Sequence, residues 1–172
     1  EIGVYRGQTL SLFNLICDNE KIKSEIFGIT PLNDSDDSVS NYLKIDYEID
    51  INNHFKYFNL EKPRILKALS TELKAINFIN SKKWDLVYID GSHEYEVVKA
   101  DIANVLKNLA YGGLLVLDDS SLFEDFDDKK FSFPVFKGHP GPSRVFQEIM
   151  NEGSLDYLIG VGHNNIFVNS KN

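Results

Sequence analysis

The sequence predicts an α/β fold: a doubly wound, mostly parallel sheet of seven strands, helices on both faces, and an antiparallel strand pair at the C-terminal end. Three observations predict it. Short apolar runs alternate with segments of helical spacing along the whole chain. The clearest run, Trp84-Asp85-Leu86-Val87-Tyr88-Ile89, is nearly continuous and ends at Asp90-Gly91, as expected for a strand buried on both faces. The last two runs are joined by a Gly162-His163-Asn164 turn with no room for a helix, which makes that pair antiparallel.

The elements follow in order. Ile2 to Tyr5 reads as a strand stub before Gly7. Thr9 to Ile16 clusters apolar residues at helical spacing. Ser24 to Ile29 is the second strand, stopped by Pro31, and the polar stretch 31–41 is a loop. Asp46 to Leu60 is read as a helix with Ile49, Ile51, Phe55 and Phe58 as its apolar positions. Arg64 to Ala68 is the third strand, and Ser70 is placed as cap of a helix from Thr71 to Asn80. After the Trp84–Ile89 strand, Ser92 is placed as N-cap. Tyr95, Val98, Ile102, Val105 and Leu109 then mark one buried helical stripe. Tyr111-Gly112-Gly113 is read as the end of that helix, and Leu114 to Leu117 as the fifth strand. Residues 120–142 are irregular and rich in acids, aromatics and prolines, the pattern of a functional insertion. Pro142-Ser143-Arg144 opens the last helix, and Leu155 to Val161 and Asn165 to Asn169 close the sheet. The whole, 1–172, reads as one Rossmann-like domain.

Composition narrows the function classes. The chain has 172 residues, of which 42% are hydrophobic and 26% charged, enough for one sizeable core. No apolar run approaches the roughly 18–20 residues that span a bilayer. Cys17 is the only cysteine, so no disulfide forms within the chain, which fits a reducing, cytoplasmic compartment. The net charge of −8 and the lack of a Lys/Arg cluster argue against nucleic acid and acidic membranes. A homo-oligomer is compatible with this composition. The chain opens at Glu1 with neither Met nor signal-like segment, and the reading expects residues upstream of it.

In a sheet of this kind ligands sit beyond the strand carboxyl ends. Three groups stand there. Glu1-Ile2-Gly3-Val4-Tyr5-Arg6-Gly7 is a Gly-bearing turn with G-x-x-x-G spacing, a poor match to the dinucleotide pattern G-x-G-x-x-G; a tight turn needing Gly for backbone reasons is the plain alternative. Asp90 ends one buried strand, and Asp118 and Asp119 end the next. Three carboxylates at neighbouring strand ends repel one another and suit Mg²⁺ or a similar hard cation, against the alternative of capping and turn-binding roles. His93 lies three residues after Asp90, placed as a general base in the first turn of a helix or as a capping histidine. His54 is read as surface or core; His139 and His163 are left unassigned.

These motifs, E-I-G-V-Y-R-G, W-D-L-V-Y-I-D-G-S-H-E-Y and G-G-L-L-V-L-D-D, resemble the class I S-adenosylmethionine-dependent methyltransferases. The similarity is to the branch of macrocin- and mycinamicin-type metal-dependent sugar O-methyltransferases. The resemblance implies that Glu1, Gly3, Tyr5 and Gly7 line the methionine and ribose side of S-adenosylmethionine, with Asp90 beside them. It implies that Thr30 stands where the family places an acid for the ribose hydroxyls, with Asp34 and Asp36 nearby, and that Ser70 and Thr71 lie near the adenine. It implies Asp90, Asp118 and Asp119 as metal ligands, His93 with Asp90 as the catalytic pair, and a small-molecule or sugar hydroxyl as acceptor. An NAD-dependent oxidoreductase and a non-catalytic cofactor- or carbohydrate-binding module remain the alternatives.

Overall fold

A computed structural model describes residues 1–33, 39, 43–125 and 135–171. Asp34 and Asp36, named for the ribose, lie outside the described residues. The order of elements is α1 (Gln8–Asn19), β1 (Phe27–Thr30), α2 (Tyr47–Tyr57), β2 (Arg64–Lys67), α3 (Leu73–Ile79), β3 (Trp84–Ile89), α4 (Tyr95–Leu106), β4 (Leu109–Leu117), α5 (Pro140–Glu152), β5 (Asp156–Val161) and β6 (Asn164–Val168).

The strands form a pair, β1-β2, and a four-stranded sheet ordered β3-β4-β6-β5. β1 pairs parallel with β2 and β3 with β4; β6 runs antiparallel between β4 and β5. The expected seven strands are therefore six among the described residues. The first strand is a single bridging residue: Ile2 pairs in parallel with Ile29 on one side and Ile89 on the other. Its N–H donates to the Tyr88 carbonyl and its carbonyl accepts from Asp90, both at 2.8 Å. The chain cannot stay extended beyond it, because Gly3 and Tyr5 take positive φ (89° and 43°).

Two apolar clusters fill the space between sheet and helices. One gathers Ile29, Val87, Ile89, Leu115, Leu117 and Phe167 from the strands with Ala75, Val98, Ile102, Val105, Phe146 and Ile149 from α3, α4 and α5. The other joins Val4 to Leu10 of α1 and to Ile51 and Phe55 of α2. Burying Ile51 and Phe55, each about 1% exposed, contributes about 1.5–3 kcal/mol apiece.

Several boundaries differ from the sequence reading. In α2 the buried face is Tyr47, Ile51 and Phe55, four residues apart, while Ile49 and Phe58 are exposed. Asp46 caps this helix by accepting the Ile49 N–H at 2.9 Å. The cap of α3 is Glu72, not Ser70. The cap of α4 is Glu94, so His93 stands before the helix, and Ser92 instead accepts the Glu94 N–H at 3.1 Å. Leu109 belongs to β4. Tyr111, Gly112 and Gly113 form an irregularity inside that strand, where the register against β3 shifts between Trp84 and Leu86. The last helix begins at Pro140, two residues earlier than Pro142. No described helix is long and apolar enough to cross a membrane.

Candidate active site

The carboxyl ends of β1, β2 and β3 border a cleft of about 450 Å³, within the size range of small-molecule and cofactor sites. Gly3 and Tyr5 line it from the first turn, Thr30 from the end of β1, and Ser70 and Thr71 from the segment after β2. Asp90, Gly91 and His93 line it after β3, with Asp119 and His139 alongside. Of the residues named from sequence for the cofactor, Gly3, Tyr5, Thr30, Ser70, Thr71 and Asp90 share this cleft. Glu1 and Gly7 do not: Glu1 borders a smaller apolar cavity with Phe27 and Trp84, and Gly7 is the left-handed N-cap of α1, packed on Ile51.

Gly3 cannot carry a side chain, because its Cβ would fall 1.8 Å from the Asp90 carbonyl oxygen. This approach brings the first turn directly over the end of β3. Tyr5 leans on Tyr47, their ring centres 5.7 Å apart.

Asp90, Asp118 and Asp119 line one small cavity with Ser92 and His93 at the ends of β3 and β4. Burial, with the charges of Asp118 and then Asp119, pushes the Asp90 carboxyl up to about 9. Such crowding is uncompensated by any lysine or arginine in the lining of this cavity, and a divalent cation would relieve it. Carboxylate oxygens are the donors that a hard cation takes.

Asp118 and Asp119 are held firmly. The Asp119 N–H donates to Asp118 Oδ1 at 2.9 Å, and the Tyr88 hydroxyl lies 2.9 Å from Asp118 Oδ2 and 3.0 Å from Asn164 Oδ1. Asp119 itself adopts φ 52°, a left-handed conformation uncommon for a residue with a side chain. Beneath it, buried Asn165 donates to Ser120 Oγ at 2.8 Å and Ser121 Oγ at 3.0 Å, and Ser120 donates to the Leu117 carbonyl at 2.8 Å.

Three histidines surround the acids. His93 Nε2 is 2.9 Å and His139 Nε2 3.7 Å from Asp119 Oδ2; His163 Nε2 is 3.2 Å from Asp118 Oδ1. Among the described residues two sets place their ligand atoms within 4.8 Å of one another: His93, Asp119 and His139, and Asp118, Asp119 and His163. Asp90 belongs to neither and meets the cluster through Asp118, with which it shares a hydrogen bond. His139 and His163, which the sequence does not assign, stand beside these acids, and Tyr88 and Asn165, which no motif marks, support them. The Gly-His-Pro-Gly-Pro run at 138–142 and the Gly-His turn at 162–163 were the only signals available.

A family model described as a methyltransferase domain matches residues 1–120, which contain the cleft turn, the β3 acid and the Asp118-Asp119 pair. The chain belongs to this methyltransferase family. This agrees with the class I S-adenosylmethionine-dependent methyltransferase resemblance carried by the sequence motifs. Uncharacterized protein R132 of Acanthamoeba polyphaga mimivirus is 30% identical over 152 residues, covering 87% of this chain and 59% of that protein. The chain thus spans less than two thirds of that relative's length. Among solved structures, the O-methyltransferase NovP superposes with a TM-score of 0.64 at 14% identity, over 99% of this chain and 71% of that one. CalS11, a TDP-rhamnose 3'-O-methyltransferase of calicheamicin biosynthesis, gives 0.60 at 14%, over 97% and 69%. The N-methyltransferase NodS of Bradyrhizobium japonicum gives 0.56 at 14%, over 99% and 84%. These likenesses establish the methyltransferase fold.

Proposed function

We propose that this methyltransferase transfers the methyl group of S-adenosylmethionine to a hydroxyl of a small molecule or sugar, assisted by Mg²⁺ or a similar divalent cation. The observation that supports the reading is that Asp90, Asp119 and His93 line the cofactor-sized cleft and, together with Asp118, the small cavity beside it. The sulfonium donor is already activated, so the protein has chiefly to align donor and acceptor. A hydroxyl is a poor nucleophile while protonated. Asp90, Asp118 and Asp119 would hold such a cation, which would lower the hydroxyl's pKa when bound. His93 donates from Nε2 to Asp119 Oδ2 at 2.9 Å, so the carboxylate orients the ring and Nδ1 is the nitrogen that takes the proton.

An amine acceptor needs no such acid cluster, which favours oxygen over nitrogen. The resemblance to the sugar O-methyltransferase branch and the fold shared with NovP and CalS11 support a sugar-type acceptor. The net charge of −8 argues against nucleic acid as substrate.

The test is transfer of labelled methyl from S-adenosylmethionine to a panel of hydroxylated and aminated acceptors, with and without EDTA. The reading expects transfer to hydroxyls that EDTA abolishes and Mg²⁺ restores. Full turnover in EDTA removes the metal from the mechanism; transfer confined to amines overturns the acceptor class.

A further inference from the structure

The nitrogen donors around Asp119 are more than an oxygen-seeking cation needs. Mg²⁺ takes oxygen ligands and leaves imidazole alone. Late first-row ions such as Zn²⁺, Co²⁺ and Ni²⁺ prefer mixed imidazole and carboxylate sets. Around Asp119 Oδ2, His93 Nε2 stands at 2.9 Å and His139 Nε2 at 3.7 Å. Bonds of about 2.0–2.1 Å in a tetrahedron put neighbouring ligand atoms about 3.4 Å apart, and the two observed separations bracket that value.

The arrangement is built by the backbone. Gly141 lies against the His93 carbonyl, where a Cβ would stand 2.0 Å from the oxygen, and Gly138 lies equally close to the Asp119 carbonyl. These two approaches clamp the His139 segment onto both other ligands. The His93 and His139 rings then meet with centres 4.3 Å apart at 61°, and Phe136 closes on His139 at 5.3 Å. All three ligands are mostly shielded, yet each lines the open cleft, so a fourth position faces solvent.

We propose that His93, Asp119 and His139 form an inhibitory site for a borderline divalent ion, with Zn²⁺ the best fit. It shares Asp119 with the all-oxygen set of Asp90, Asp118 and Asp119 and differs from it in its two imidazole donors. The inhibition rests on the proposed O-methyltransferase reading, because an ion on His93 Nε2 leaves the neutral ring's proton on Nδ1, the nitrogen that would otherwise take the acceptor's proton. The binding rests only on the geometry.

The experiment is calorimetric titration of Zn²⁺, and visible absorption on adding Co²⁺, into metal-free protein held in excess Mg²⁺. One Zn²⁺ should bind despite the Mg²⁺, and Co²⁺ should give the intense bands of a four-coordinate, nitrogen-containing site. His139→Ala and His93→Gln should each weaken Zn²⁺ by at least the roughly 10–100-fold that follows loss of an outer-shell partner, with melting midpoints confirming that both variants fold. Zn²⁺ affinity that survives both substitutions, or Zn²⁺ that excess Mg²⁺ displaces, overturns the site. Zn²⁺ bound at wild-type strength with undiminished methyl transfer overturns the inhibition. Absence of transfer under every condition counts against the O-methyltransferase reading and leaves the binding result standing.

Discussion

Asp119 and Gly138 are held backbone against backbone: a Cβ on Gly138 would lie 2.0 Å from the Asp119 carbonyl oxygen, and the N–H of the next residue, His139, donates to that oxygen at 2.8 Å. Through this contact the segment after residue 134 reaches the end of β4. Gly138 also has φ 106°, a conformation that side chains resist at a cost of about 1–3 kcal/mol. Gly138→Ala should therefore lower stability by more than about 2 kcal/mol and cut methyl transfer. Denaturant midpoints and turnover per folded molecule would check both.

Tyr5 faces the cleft and is 43% exposed. Tyr5→Ala should leave the melting midpoint near wild type. A lost aromatic contact of about 0.5–1.5 kcal/mol should weaken S-adenosylhomocysteine roughly 2–10-fold. Calorimetry on the variant reads this directly, and unchanged affinity would place Tyr5 outside the cofactor site.

Asp101 is the misfit of the core. It is 1% exposed on α4 and neither carboxylate oxygen has a hydrogen-bond partner within bonding distance, although Ser70 lies near enough to lower its pKa slightly. Burial dominates and pushes the carboxyl up to about 6. Because the folded value lies above the unfolded one, the native state holds the proton more tightly. Stability is then full below about pH 4 and falls as pH rises towards 6. Asp101→Asn should stabilise the protein above pH 6 by up to about 3 kcal/mol, with the gain vanishing below pH 4. Urea denaturation of both proteins at pH 4 and pH 7.5 measures it; equal gains at the two pH values would contradict the assignment.

His93→Ala should lose roughly 10²–10⁴-fold in turnover, the contribution of a positioned base, with S-adenosylhomocysteine affinity within a few-fold of wild type. A variant that melts earlier yet keeps its turnover would make His93 a packing residue.

The architecture was largely legible because its signal is local. Trp84–Ile89 announces itself as a continuous apolar run, and the closing strand pair by its tight turn. The errors fall where two local signals coincide. Leu109 continues the stripe from Val105 at helical spacing, and Gly112-Gly113 resembles a helix stop, so in sequence this strand irregularity looks like a helix end. Ile49 is apolar and by composition alone belongs to the buried face of α2, while the tertiary contacts select Tyr47, Ile51 and Phe55. The site was half legible. Asp90, His93, Asp118 and Asp119 sit at strand ends, where position in the chain predicts position in space. His139, His163 and Asn165 join them only through long-range contacts across the insertion and the β5–β6 turn, about which spacing along the chain says nothing. Asp101 was invisible for the opposite reason, as an acid on a face that packing buries.

The central claim is that the cleft takes S-adenosylmethionine while the acids beside it serve the acceptor. Calorimetric titration of S-adenosylhomocysteine into the wild-type protein and into Asp118→Ala, with NAD as the control ligand, tests it most directly. The account predicts one site of similar affinity in both proteins, no heat from NAD, and loss of Mg²⁺-dependent transfer in Asp118→Ala alone. Binding of NAD without binding of S-adenosylhomocysteine would contradict it.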